Sequence, residues 1–145
     1  MSEHETRWTV VEGSAKAFVQ TVTSGPHTLI ADEPPDVGGT DKGPSPFDLL
    51  ASALGACTSM TLGMYARRKT WPLEHVRVRV RPTKVRASDL PGGEGKQGIV
   101  DVFDREIELT GNLDDEQRAR LLEIANKCPV HQALTKECLV RSKLV

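Results

Sequence analysis

The chain has no surplus of charge. Its 145 residues carry 19 Lys and Arg against 20 Asp and Glu, a formal net charge of −1. Composition therefore gives no electrostatic footprint for nucleic acid. No secretory leader is expected at the start, because "MSEHETRWTV" is polar and charged where a leader is apolar. Only three cysteines occur. They cannot all pair within one chain, and their spacing holds no Cys-x-x-Cys zinc pattern. No segment repeats. These absences point to a soluble cytoplasmic protein whose thiols stay reduced. The length suits a single domain, residues 1–145, with room for a real core.

Charge is missing altogether from one stretch. Residues 49–66 include no Asp, Glu, Lys or Arg, a run at the lower limit for a membrane span. It is rich in Ala, Gly, Ser and Thr, has few large side chains, and sits mid-chain between polar segments. That composition suits a helix in the centre of a globular protein or dimer better than one in lipid. Ser45 reads as its N-cap, Pro46 as the first helical residue and Asp48 as the capping-box acid. Arg67, Arg68 and Lys69 complement its C-terminal end, and Pro72 blocks continuation.

Elsewhere the pattern is that of strands and one amphipathic helix. "TRWTVV", "AKAFVQTV" and "HTLIAD" are short β-branched runs separated by Gly13 and by Gly25-Pro26. "EHVRVRVRPTKVR" alternates, with Val76, Val78 and Val80 inward and Arg77, Arg79 and Arg81 outward. "IVDVFDREIELTG" gives a second long strand, "NLDDEQRARLLEIANKC" a helix, "VHQAL" one more turn, and "ECLVRSKLV" a closing strand. The layout is α+β.

Two cysteines stand where chemistry is possible. Cys128 directly precedes Pro129, so it is placed to cap the segment that follows, where backbone N–H groups favour a thiolate. His131 lies three residues on. An apolar-face cysteine beside a helix break accounts equally well for the same residues. Cys57 is about three turns into its helix, beyond the reach of the N-terminal dipole. By local sequence alone it reads as a small apolar filler. Cys138, in the expected last strand, reads as structural. A metal site built from Cys57, Cys128 and His131 lacks clustered spacing.

The segments "GGTDKGPSPFDLLASALGACTSMTLGMYARRKTWP" and "NLDDEQRARLLEIANKCPVHQAL" together resemble the OsmC/Ohr family of thiol peroxidases. They share a Gly/Pro loop, a helix with a central cysteine and a later helix ending in Cys-Pro. The form "CPVHQAL" is most similar to the OsmC-like branch. The resemblance implies an OsmC-like fold, with curved antiparallel sheets around a long buried helix. It also implies an intertwined homodimer with active sites at the subunit interface. It makes Cys57 the peroxidatic nucleophile toward organic, fatty or aryl hydroperoxides, and Cys128 the thiol that resolves its sulfenic acid as a disulfide. A dithiol reductant of lipoyl type resets the cycle, and no metal or organic cofactor is needed. The alternative on the same fold is a non-catalytic module that holds a small hydrophobic ligand at the dimer interface.

Peroxidatic members of the family carry an arginine ahead of the helix and a glutamate ten positions before the cysteine. Here no arginine occurs between Arg7 and Arg67, and Phe47 holds the glutamate position. His131 is then the expected activating group, as an imidazolium or as a neutral base. Asp48 is a weaker supporting candidate, with capping as its plainer role. Arg105 shares strand parity with Phe103, Ile107 and Leu109, and reads as an arginine that snorkels to a rim.

Overall fold

The computed structural model describes residues 6–145. They form two compact units, one up to Leu50 and one from Ala51 onward.

In the first unit three short strands, β1 (Thr9–Glu12), β2 (Gln20–Ser24) and β3 (His27–Ala31), make an antiparallel meander in the order β1-β2-β3. The β2–β3 turn reverses at Gly25, whose φ of +57° suits a residue without Cβ. After β3 the chain winds round Asp32. This buried carboxylate accepts bonds from the Thr40 hydroxyl (2.6 Å), the Glu33 N–H (2.8 Å), the Lys42 N–H (3.1 Å) and the Thr40 N–H (3.3 Å). The Pro/Gly loop thus has a defined path without regular structure. Donation by the Thr40 hydroxyl, followed by the backbone donors, holds Asp32 down at a pKa of about 2, although burial opposes them.

Helix α1 (Pro46–Lys69) starts at the foreseen capping box. Asp48 N–H donates to Ser45 Oγ (3.2 Å), and Ser45 N–H donates to Asp48 Oδ2 (3.0 Å). Leu54, Thr58, Leu62 and Ala66, four apart, form its buried stripe. Other apolar side chains of the helix stay open among the described residues: Met60 is 72% exposed, whereas Leu62, two residues on, is 0% exposed. The helix is long and apolar enough to cross a membrane by length and composition, with a mean hydropathy of 1.3. Its buried stripe is instead used against protein.

In the second unit β4 (Leu73–Arg86) and β5 (Ile99–Gly111) form a long antiparallel ribbon. The alternation read from sequence sorts its faces. Val76, Val78 and Val80 are half-buried, while Arg77, Arg79 and Arg81 stay exposed and pair across the ladder with Glu108, Glu106 and Asp104. Exposed pairs of this kind add up to about 1 kcal/mol each. Gly111 ends β5 at a φ of +146°, where a Cβ would collide with the Pro72 carbonyl. Helix α2 (Asp115–Ala125) follows behind an Asp114–Gln117 capping box. Arg118 ties the α2 start to the end of β5 by donating to the carbonyls of Leu109 (3.0 Å) and Gly111 (3.1 Å). The core is Leu62, Leu113, Leu121, Ile124 and Ala125, flanked by Tyr65, Trp71, Leu73, Val76, Ile107 and Leu109. Helix α3 (Pro129–Thr135) follows Cys-Pro and runs for about two turns, where one was expected.

The fold class is α+β with antiparallel sheets and one long helix, as expected. One element differs. "ECLVRSKLV" forms no strand, and Cys138 is exposed. The segment is apolar enough for a strand, yet Leu139, Val140, Leu144 and Val145 are all nearly fully exposed, so burial does not support one.

Candidate active site

The site is made where the middle of α1, the strand β5 and the start of α3 converge in the second unit. Helix periodicity divides α1 between two tasks. Cys57 shares a meridian with Leu50 and Met64, seven residues away on either side, and that exposed stripe also includes Met60. Thr58, one position on and about 100° round, faces the interior and is fully buried.

Cys128 is fully buried and is the N-cap of α3. Its sulfur accepts the His131 N–H at 3.3 Å, the capping geometry foreseen for Cys-Pro. Cys57 is half-buried and lies beside Cys128, close enough for the two thiols to interact directly. Burial is the main influence pushing the Cys57 thiol above its ordinary value, and its Cys128 neighbour adds to it. Donation by the Val130 N–H and the Thr61 hydroxyl works in the opposite direction. The three cysteines are all free.

Arg105 is the cation that the sequence reading left out. β5 alternation turns it inward with Phe103 and Ile107, where it is half-buried rather than at a rim. Nη1 donates to Thr58 Oγ1 (3.1 Å) and to the Ala125 carbonyl (3.3 Å), and Nη2 donates to Asn126 Oδ1 (2.8 Å). Thr58 Oγ1 donates to the Leu54 carbonyl (2.6 Å) and lies 4.0 Å from Cys128 Sγ. Among the described residues Arg105 forms no ion pair. Its strand parity with three core residues was the available signal, and the acceptors that hold it come from α1 and the end of α2.

His131 does not serve as an imidazolium. Burial, and then the Arg105 charge, hold its pKa below the usual histidine value, so the neutral ring predominates at pH 7. Among the described residues no group of three His, Cys, Asp or Glu is arranged to hold a metal. The three-ligand reading of Cys57, Cys128 and His131 is thereby set aside.

A buried stripe on a long helix, two adjacent thiols and a Cys-Pro cap make a distinctive set. A model of the family described as OsmC-like protein matches residues 39–143, well over half the chain. This protein belongs to the OsmC-like family. It is similar in fold to an OsmC-like protein from Mycoplasma pneumoniae, at 19% identity over 87% of this chain and 84% of that one, with a TM-score of 0.67. It is similar to the organic hydroperoxide resistance protein OsmC from Legionella pneumophila, at 20% identity over 90% of each chain and a TM-score of 0.65. An organic hydroperoxide resistance protein from Elizabethkingia anophelis is 17% identical over 89% of each chain, with a TM-score of 0.65. Among curated proteins none matches in sequence.

In this OsmC-like chain Asp48 has the capping role that was its plainer expectation. It is engaged in the capping box, nine residues or about 13 Å along the axis from Cys57.

Proposed function

We propose that this protein is a thiol peroxidase for organic hydroperoxides, acting as a homodimer. The observation that carries the reading is the Cys57–Cys128 pair: one thiol half-open on an apolar helix face, its neighbour buried behind it. The Cys57 thiolate attacks the distal oxygen of ROOH; the S–O bond forms, the O–O bond breaks and ROH leaves after taking a proton. Cys128 then attacks the sulfenic sulfur, hydroxide departs as water, and a disulfide results. Two electrons have passed from the thiols to the peroxide, and a dithiol reductant returns them. The Val130 N–H and Thr61 hydroxyl stabilise the Cys57 thiolate. Arg105, through Thr58, supplies positive charge on the Cys128 side. The solved relatives described as organic hydroperoxide resistance proteins support this substrate class.

The exposed stripe of Leu50, Met60 and Met64 around Cys57 supports a second copy as its cover. Apolar surroundings on that face suit fatty or aryl hydroperoxides better than hydrogen peroxide.

Stopped-flow mixing of the reduced protein with cumene hydroperoxide should consume one equivalent and leave a Cys57–Cys128 disulfide in the mass spectrum. Equal rates for wild type and Cys57→Ser would overturn the reading. The upward displacement of the Cys57 thiol favours a second one, a non-catalytic module that holds a hydrophobic ligand on the same face. That module would bind cumene alcohol and hydroperoxide alike and form no disulfide.

A further inference from the structure

A cavity of about 400 Å³ opens within the second unit, a volume within the range of sites that take small organic ligands. We infer that it is a binding site for the carboxylate of a medium-chain aliphatic acid, with Arg105 as the anchor of the head group. Phe103 and Ile107 of β5, Leu54 of α1, Leu122 of α2 and Leu134 of α3 form its apolar wall. Four elements thus contribute carbon to one concave surface, on which an alkyl chain is removed from water.

The polar end is built around a charge that has no counter-ion among the described residues. A guanidinium has five N–H donors. Arg105 uses three of them, on Thr58, Ala125 and Asn126, all neutral acceptors. Two donors and the whole positive charge remain for a ligand. Planar forks of this kind match a carboxylate. His131 also lines the cavity, and as a neutral ring it can donate one further N–H.

Two acids at the margin do not reverse the sign of the site. Asp104 is bonded to Arg81 (3.0 Å), and Asp101 is paired with Lys84. Asp104 alternates to the opposite face of β5 from Arg105, and Asp101, which shares the Arg105 face, has its charge matched by Lys84 of β4.

Binding needs no turnover, so the inference stands or falls apart from the peroxidase reading. Reduced full-length protein is titrated calorimetrically with octanoate, octan-1-ol and octylamine. Octanoate should bind at least about tenfold more tightly than either analogue. Arg105→Gln should weaken octanoate by about tenfold or more while leaving octanol unchanged, and Arg105→Lys should restore part of the loss. Leu134→Trp, a filling change at the 40% exposed edge of the wall, should weaken octanoate and octanol together. Equal affinity for octanoate and octanol, preference for octylamine, indifference of octanoate to Arg105→Gln in a folded variant, or no octanoate binding at millimolar concentration would each overturn it. Octanoate binding in a protein that reduces no hydroperoxide would sink the peroxidase reading and leave this one intact.

Discussion

Arg105 and Thr58 are 47 residues apart in sequence and 3.1 Å apart in space, guanidinium to hydroxyl. That bond fixes the position of a cation beside Cys128, the only one hydrogen-bonded to Thr58 among the described residues. Removing the charge should slow the step in which Cys128 attacks, while sulfenic acid formation at Cys57 proceeds nearly as before. For Arg105→Met we expect disulfide closure to slow about tenfold, the effect of roughly 1.4 kcal/mol, with partial recovery in Arg105→Lys. Trapping the sulfenic acid with dimedone during the reaction measures the two steps separately.

The direction of the Cys57 displacement makes the oxidation step sensitive to pH. With its thiol held above the ordinary value, only a small thiolate fraction exists at neutral pH. The second-order rate with hydroperoxide should therefore climb about tenfold per pH unit between pH 6 and 8. A flat profile over that interval would show that the thiolate is already formed.

Two groups make stability fall on acidification. Asp32 has a folded pKa of about 2, below its ordinary 3.8, so its contribution is present above pH 4 and is lost as pH drops toward 2. His131 also has a depressed folded pKa. Its neutral form is the one the fold accommodates, so its contribution is complete above the usual 6.5 and declines as pH falls below it. Asp32→Ala, which strips four accepted bonds, should flatten the lower part of a pH–stability curve measured by urea unfolding. His131→Gln should flatten the upper part.

Core packing predicts a larger effect than any surface pair. Leu62 is fully buried among Leu113, Leu121, Ile124 and Ala125, and Leu62→Ala should cost about 2–5 kcal/mol. Arg79→Ala, which removes only an exposed pair with Glu106, should cost less than about 1 kcal/mol. Denaturant titration of the two variants should differ accordingly.

If a second copy covers the exposed stripe of α1, Met64→Glu should yield monomers by light scattering. Ala119→Glu, on the exposed side of α2, should not.

The elements were largely legible because each is marked by short-range rules. Ser45, Pro46 and Asp48 set the start of α1, valine and arginine alternation sets β4, and Cys-Pro sets α3. Those rules do not reach across the chain. Arg105 was misjudged because an inward arginine is costly unless acceptors wait for it, and its acceptors belong to residues 58, 125 and 126. Of the two forms expected of His131, imidazolium or neutral base, burial and then the Arg105 charge favour the neutral one. Cys138 was misplaced because an apolar run looks the same whether or not anything covers it.

Helix α1 keeps Cys57 on one side and Thr58 on the next, and this leaves its length very little freedom. Inserting one residue between Leu50 and Leu54 would turn everything upstream by about 100° relative to the thiol. Leu50 would then leave the meridian that Met64 shares with the Cys57 sulfur. Loops elsewhere can drift in length, but here the spacing itself is the constraint.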